Sequence, residues 1–286
     1  MLSNEQWFET IKQSYLAPPV SFAGRRLPGF PSDQIQANTT GQAGVPTLQE
    51  AFVFYEDCIA QFRAAGADMS PEHRLLDFGT GWGRIARFFM RELPAEHIFG
   101  LDVTKEFIHI CRDTFASDNF HLTTPMPPTT LSAESFQYIV GYSVFSHLSE
   151  QACQLWMAEF HRLLAPGGMV AVTTRGRPFF DFCESLKASP QHGYLGALAN
   201  MYDDFDVPRA RYDRGELVHC NAKGVAGGGA MTADFYGETF IPEAYARTAF
   251  APHFELVNFL FDPARQTHPI LFLKKIESGQ SSTKVM

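Results

Sequence analysis

Between residues 75 and 174, short unbroken apolar runs alternate with stretches in which apolar side chains recur every three or four positions. The first pattern marks strands buried on both faces, and the second marks helices with one buried stripe. Strands are predicted at 75–78 and 97–102. Helices are predicted at 84–91, from 105 through 111, and after residue 149. In the last of these, Cys153, Trp156, Met157, Phe160, Leu163 and Leu164 share one face, and Ser149 with Glu150 suits its N-terminus. Pro166, Gly167 and Gly168 are expected to stop it. Strand alternating with helix predicts an α/β fold with a doubly wound, mostly parallel sheet.

The flanks depart from this rhythm. Residues 1–70 read as a helical extension: a helix at 4–15, a Pro- and Gly-rich connector at 17–46, and a helix at 48–64. Phe52, Tyr55 and Phe62 give the second helix an apolar face, with Tyr55 placed either in the core or over a ligand mouth. Residues 175–237 are too long for a bare crossover and mix aromatic residues, Tyr194 and Tyr236 among them, with acidic ones and the run Gly227, Gly228, Gly229. A substrate-covering cap is the expectation; a structural subdomain or a homodimer contact is the alternative. Residues 238–277 complete the sheet with a hairpin at 254–274, and 278–286 should fray.

Composition narrows the function classes. The 286 residues are 45% hydrophobic and 19% charged, ordinary globular material. A net charge of −8 without a basic stripe argues against nucleic acid as partner, since phosphate binding needs concentrated Lys and Arg. Five scattered cysteines fit neither a disulfide framework nor a zinc site, and no spacing of His or carboxylates supports another metal. No secretory signal and no apolar run long enough for a membrane span is seen, so a cytoplasmic location is expected.

The chemistry concentrates in one run. Gly79, Gly81 and Gly83 alternate after the first strand, free to take positive φ and to let a ligand approach the backbone; Thr80 lies between them. Arg84 stands where the dinucleotide fingerprint needs its third glycine, and Asp77 precedes the loop by two positions. A carboxylate there suits a ligand carrying ammonium or sulfonium better than a pyrophosphate. The plainer alternative is a tight βα turn and nothing more. Asp102, nineteen residues past Gly83, ends the second strand where a carboxylate can accept the hydroxyls of a ribose; it, or Thr104, is otherwise an N-cap.

These residues resemble those of the class I methyltransferases that use S-adenosylmethionine. Asp77-x-Gly79-x-Gly81-x-Gly83 is similar to the family's first motif and Asp102 to its ribose-binding residue. The stretch 136–148 is similar to its fourth strand and following turn, and 161–168 to its passage into strand five. The resemblance implies a seven-stranded sheet with strand seven antiparallel, and S-adenosylmethionine as cofactor, held by Asp77, Gly79, Thr80, Gly81, Gly83, Asp102, Val103, Thr124, Tyr142 and Ser143. The acidic residue that many relatives carry after strand three is missing, and Thr124 or a backbone group stands in its place for the adenine. The methyl acceptor is expected to be a small apolar or aromatic molecule of secondary metabolism, met by Tyr55, Arg175, Tyr194 and Tyr236. Arg175 would pair an acceptor carboxylate, or simply be solvated. If a proton must leave the acceptor, His147, just after strand four, is the first candidate base and His219 the second; a helix-start hydrogen bond is the other reading of His147. A cyclisation or rearrangement on the same fold, and a nicotinamide oxidoreductase, are the rival functions.

Overall fold

In the computed structural model the described residues are 2–222, 224–225 and 227–277; the expected tail at 278–286 lies outside them. Helix α1 (Asn4–Leu16) starts on a Ser3 capping box and is followed by a small ribbon, β1 (Ser21–Phe22) with β2 (Arg25–Arg26), and by α2 (Asp33–Thr40) and α3 (Val45–Ala64). Strand β3 (Leu75–Phe78), β4 (Ile98–Asp102), α4 (Lys105–Phe115), β5 (Phe120–Leu122), β6 (Phe136–Gly141), α5 (Glu150–Leu163) and β7 (Leu164–Thr173) then alternate as the apolar rhythm requires. The long stretch after β7 holds α6 (Pro178–Ser185), α7 (Gly193–Ala199), α8 (Asp206–Asp213) and β8 (Val218–Cys220), which pairs antiparallel with β9 (Glu238–Phe240). Helix α9 (Glu243–Ala249) and strands β10 (Phe254–Leu260) and β11 (Ile270–Lys275) close the chain.

The main sheet has seven strands in the order β10-β11-β7-β6-β3-β4-β5. β3 runs parallel to β4 and to β6, and β4 parallel to β5, whereas β11 is antiparallel to both β10 and β7. This is the doubly wound, mostly parallel sheet of the class I methyltransferase fold, with strand seven reversed. Several expected elements shift: the connector expected at 17–46 holds the β1–β2 ribbon and α2, and α3 begins at Val45. The segment after the glycine loop is a six-residue 3₁₀ helix at Ala86–Arg91 instead of an α-helix from residue 84. Helix α5 ends because Leu164 turns extended, and Pro166, Gly167 and Gly168 fall within the strand that follows.

The chain resolves into two compact units, residues 1–123 with 136–142, and 124–135 with 143–286. In the first, Leu75, Leu76, Ile98 and Phe120 are wholly buried, as are Trp7, Tyr55 and Phe88. In the second, α5 buries Cys153, Trp156, Met157 and Phe160, while Phe180, Phe205, Val218 and Phe240 form a core within the long insertion. All five cysteines are buried and unpaired. Among the described residues no helix is long and apolar enough to cross a membrane.

Candidate functional site

In the first unit β3 delivers Asp77 and the loop that follows bends back through three positive-φ glycines, Gly79 at 69°, Gly81 at 53° and Gly83 at 78°. At Gly83 a Cβ would lie 2.5 Å from the Phe115 ring, so any other residue here must displace that ring as well as adopt a positive φ. The amides are not available in the way the glycines suggest. Gly79 and Thr80 N–H both donate to Leu101 O (2.8 and 2.9 Å), Gly83 N–H to Thr80 O (2.9 Å), and Gly81 N–H to Asp102 Oδ2 (2.9 Å). Four amides spent inside the fold, followed by a short 3₁₀ segment, make a poor cradle for phosphate.

The buried charges point the other way. Asp77 Oδ2 accepts the Thr80 hydroxyl (2.9 Å) and Ala86 N–H (3.2 Å), while Oδ1 is buried with no hydrogen-bond partner. Burial pushes the Asp77 carboxyl up to about 7, against the pull of those two donors. Asp102 accepts Gly81 N–H through Oδ2 and Thr104 N–H (2.8 Å) through Oδ1, so each oxygen keeps a lone pair for a hydroxyl. Burial raises its carboxyl as well. Thr104 stands at the N-cap of α4 without a side-chain cap bond. An orphaned carboxylate oxygen calls for a donor, and an ammonium supplies one; the acceptor-rich Asp102 suits vicinal hydroxyls. Both features fit S-adenosylmethionine. Val103 is half-buried beside Asp102. The Tyr142 ring packs edge-on against Phe54 (5.1 Å) with the Arg84 guanidinium over its face (4.9 Å).

Tyr55 does not reach any mouth. Its side chain is fully buried, its hydroxyl donates to Glu92 (2.8 Å), and Phe88 and Phe89 pack its ring, which is the core alternative weighed for it.

The second unit gathers His147, Arg175, Tyr194 and Tyr236 around a residue that sequence reading passed over, Glu238. Strand β9 buries this glutamate completely. Arg175 Nε donates to its Oε2 at 2.7 Å, the Tyr194 hydroxyl to its Oε1 at 2.5 Å, and His147 Nδ1 lies 3.3 Å from Oε1. Burial alone would raise the carboxyl, but His147 and Arg175 outweigh it and hold Glu238 at about 2. Arg175 is engaged elsewhere as well: Nη1 donates to His268 Nε2 (2.7 Å) and Nη2 to Tyr194 Oη (3.2 Å), and the guanidinium lies over Phe179 (4.1 Å).

His147 Nδ1 donates to Gly237 O at 2.8 Å; because a carbonyl can only accept, the neutral ring carries its proton there and leaves Nε2 with the lone pair. Tyr236 stacks on the imidazole at 4.8 Å, with the planes 5° apart. His219 repeats the arrangement. The Thr239 hydroxyl donates to Leu148 O (2.7 Å), so it accepts from His219 Nδ1 (2.8 Å), and His219 Nε2 is buried without a partner. Burial lowers the His219 pKa. A cavity of about 510 Å³ opens beside His219, lined also by Glu150, Gln154, Arg211 and Asp234.

Ser143 follows β6 with a φ of 59°, a left-handed conformation that only glycine adopts without strain. Its N–H donates to Thr173 Oγ1 at 2.7 Å. The Thr124 hydroxyl is spent on Met126 O (2.7 Å), which leaves its own oxygen lone pairs as what it offers. In the insertion, Arg209 pairs with Asp181, Glu184 and Asp206, while Arg211 and Arg214 share Glu216. No group of three metal-binding side chains occurs among the described residues.

Residues 76–170 match the family model for a methyltransferase domain. A demethylmenaquinone methyltransferase of Chlorobaculum parvum is 32% identical over 102 residues, 34% of this chain and 39% of the relative. The chain thus spans about two fifths of the length of the curated relative it matches. Among solved structures, an S-adenosylmethionine-dependent methyltransferase of Mesorhizobium loti aligns with a TM-score of 0.48 at 13% identity, over 77% of this chain and 99% of that one. The N-methyltransferase NodS of Bradyrhizobium japonicum, in complex with S-adenosylhomocysteine, aligns with a TM-score of 0.44 at 12% identity, over 78% and 88%. Residues 76–170 thus carry the methyltransferase-domain match, and they span the glycine loop, Asp102 and the central strands of the sheet.

Proposed function

We propose that this protein binds S-adenosylmethionine in its first unit and transfers the methyl group to a hydroxyl of a small apolar or aromatic molecule. The observation that carries the cofactor reading is the buried Asp77 carboxylate with one unpartnered oxygen, next to a loop whose amides are already spent. That chemistry favours a cation over the pyrophosphate of a nicotinamide nucleotide. When bound, the cofactor supplies an activated methyl on a sulfonium. The chain then has to bind, position and exclude water, and to accept a proton from a hydroxyl nucleophile.

His147 is the residue we assign to that proton. Its Nε2 lone pair is fixed by the Nδ1 bond to Gly237, and Glu238 Oε1 lies 3.3 Å from Nδ1. A small acceptor is supported by the demethylmenaquinone methyltransferase relative and by the acidic charge balance of the chain. Calorimetry with S-adenosylhomocysteine, followed by transfer of labelled methyl from S-adenosylmethionine to a panel of phenols and quinols, tests the reading. His147→Gln should leave affinity for the nucleoside unchanged and lower turnover by roughly 10²- to 10⁴-fold. Tight binding without transfer to any acceptor would favour a cyclisation or rearrangement instead; binding of NAD but not of S-adenosylhomocysteine would overturn the assignment.

A further inference from the structure

Arg87 is fully buried, and among the described residues no carboxylate pairs with it. Its three polar contacts are all to backbone carbonyls: Nε donates to Gly83 O (3.2 Å), Nη1 to Pro28 O (3.3 Å) and Nη2 to Gly29 O (3.2 Å). Aromatic faces enclose it, Phe30 at 3.9 Å, Trp82 at 5.0 Å and Phe115 at 5.9 Å. Burial drags the guanidinium down to about 9, a measure of how poorly the surroundings offset its charge. Keeping this charge in the core is costly, which gives weight to what its three donors hold.

The guanidinium joins two parts of the chain. One end holds the last glycine of the loop that carries Asp77, and the other end holds the connector of the N-terminal extension. Neighbouring residues between positions 84 and 91 repeat the connection. Arg84 donates to Thr47 O, Thr47 Oγ1 and Glu50 Oε2 at the start of α3; Phe88 O accepts from Trp7 Nε1 (2.8 Å); and Arg91 donates to Asn4 Oδ1 (2.6 Å). Residues 84–91, the exit of the glycine loop and the 3₁₀ segment after it, are thus stapled to the extension at four points, and Arg87 is the staple that also holds Gly83 O of the glycine loop.

We propose that Arg87 is a positioning residue through which the connector around Pro28, Gly29 and Phe30 sets the shape of the cofactor loop, so that cofactor binding and closure of the connector reinforce each other. The proposal rests on the cofactor reading above. If the connector opens, Gly83 O loses the donor that fixes it and the loop relaxes; if a ligand holds the loop, the carbonyls of Pro28 and Gly29 keep their fork of donors.

Trypsin provides a direct readout, because Arg25 and Arg26 lie exposed on β2 within the connector. Nicking at these residues, and affinity for S-adenosylhomocysteine, are measured on the full chain for the wild type, Arg87→Lys and Phe30→Ala. Lysine keeps the charge but cannot serve two carbonyls with one planar fork, and Phe30 is only half-buried, so both variants should fold. We expect each to be nicked about tenfold faster and to bind the nucleoside about tenfold more weakly, which corresponds to about 1.4 kcal/mol. Saturating nucleoside should slow wild-type nicking and leave that of both variants much less affected. Folded variants with wild-type nicking and wild-type affinity would overturn the proposal, as would nicking that the nucleoside protects equally in all three. A wild type that binds no S-adenosylhomocysteine sinks the cofactor reading, and the coupling with it, whereas good wild-type binding with no change in the variants sinks only the role of Arg87.

Discussion

Glu238 Oε1 lies 3.3 Å from His147 Nδ1, on a carboxylate that is wholly buried and that also accepts from Arg175 and Tyr194. Two groups ninety-one residues apart in the chain thereby share one charge balance. Buried charges of this kind are costly to isolate, because removing one partner leaves the other unpaired in a poorly polarisable interior.

Glu238→Gln should therefore be destabilising near neutral pH. A carboxyl held at about 2 in the folded chain, against 4.5 ordinarily, contributes stability that is present above about 4.5 and lost as the pH falls through about 2. The size of the shift corresponds to roughly 3 kcal/mol. Urea melts of both proteins should differ most at pH 7 and converge as the pH approaches 2; a difference that is constant with pH would mean the carboxylate is not ionised by its partners.

Asp77 titrates in the opposite sense. Its folded value of about 7 lies above the ordinary 3.8, so its contribution favours the ligand-free fold at low pH and is lost as the pH rises through 7. A cationic ligand needs the ionised form. Affinity for S-adenosylmethionine should then fall up to tenfold per pH unit below 7, and calorimetry at pH 6 in buffers of different ionisation heat should show a proton released on binding. Affinity that is flat from pH 5 to 8 would remove Asp77 from the binding site.

The glycine loop separates two kinds of cost. Gly83→Ala meets both an unfavourable φ and the Phe115 ring at 2.5 Å, so it should lose roughly 2–4 kcal/mol. Gly81→Ala meets the φ penalty but nothing closer than Thr39 Cγ2 at 3.7 Å, and should lose about 1–2 kcal/mol. Thermal melts rank the two; equal losses would mean the Phe115 side chain moves aside freely.

The parts of this molecule that were legible in the sequence are those whose cause is local. Apolar runs gave the strands of the sheet, and the alternate glycines with Asp77 and Asp102 gave the turn and its carboxylates, because period and backbone freedom are properties of neighbouring residues. Glu238 was missed because it sits in a three-residue strand with no periodicity, and its meaning comes from His147 and Arg175, which the fold brings to it. Arg87 reads in the sequence like the polar face of an ordinary helix; only the return of the connector over the 3₁₀ segment buries it. Tyr55 divided two readings, and the chain settled it by placing Glu92 within reach of the hydroxyl. The amides of the loop misled for a related reason: flexibility was visible, but their acceptors, Leu101 O and Asp102, belong to the next strand.

The five enclosed cysteines have a practical side. Burial pushes the thiols of Cys58, Cys111, Cys153, Cys183 and Cys220 up, which makes them sluggish towards alkylating reagents while the chain is folded. A cysteine introduced at an exposed site such as Leu195 on α7 would then react selectively with a maleimide dye, turning the native protein into a singly labelled reporter without any prior removal of its own sulfur.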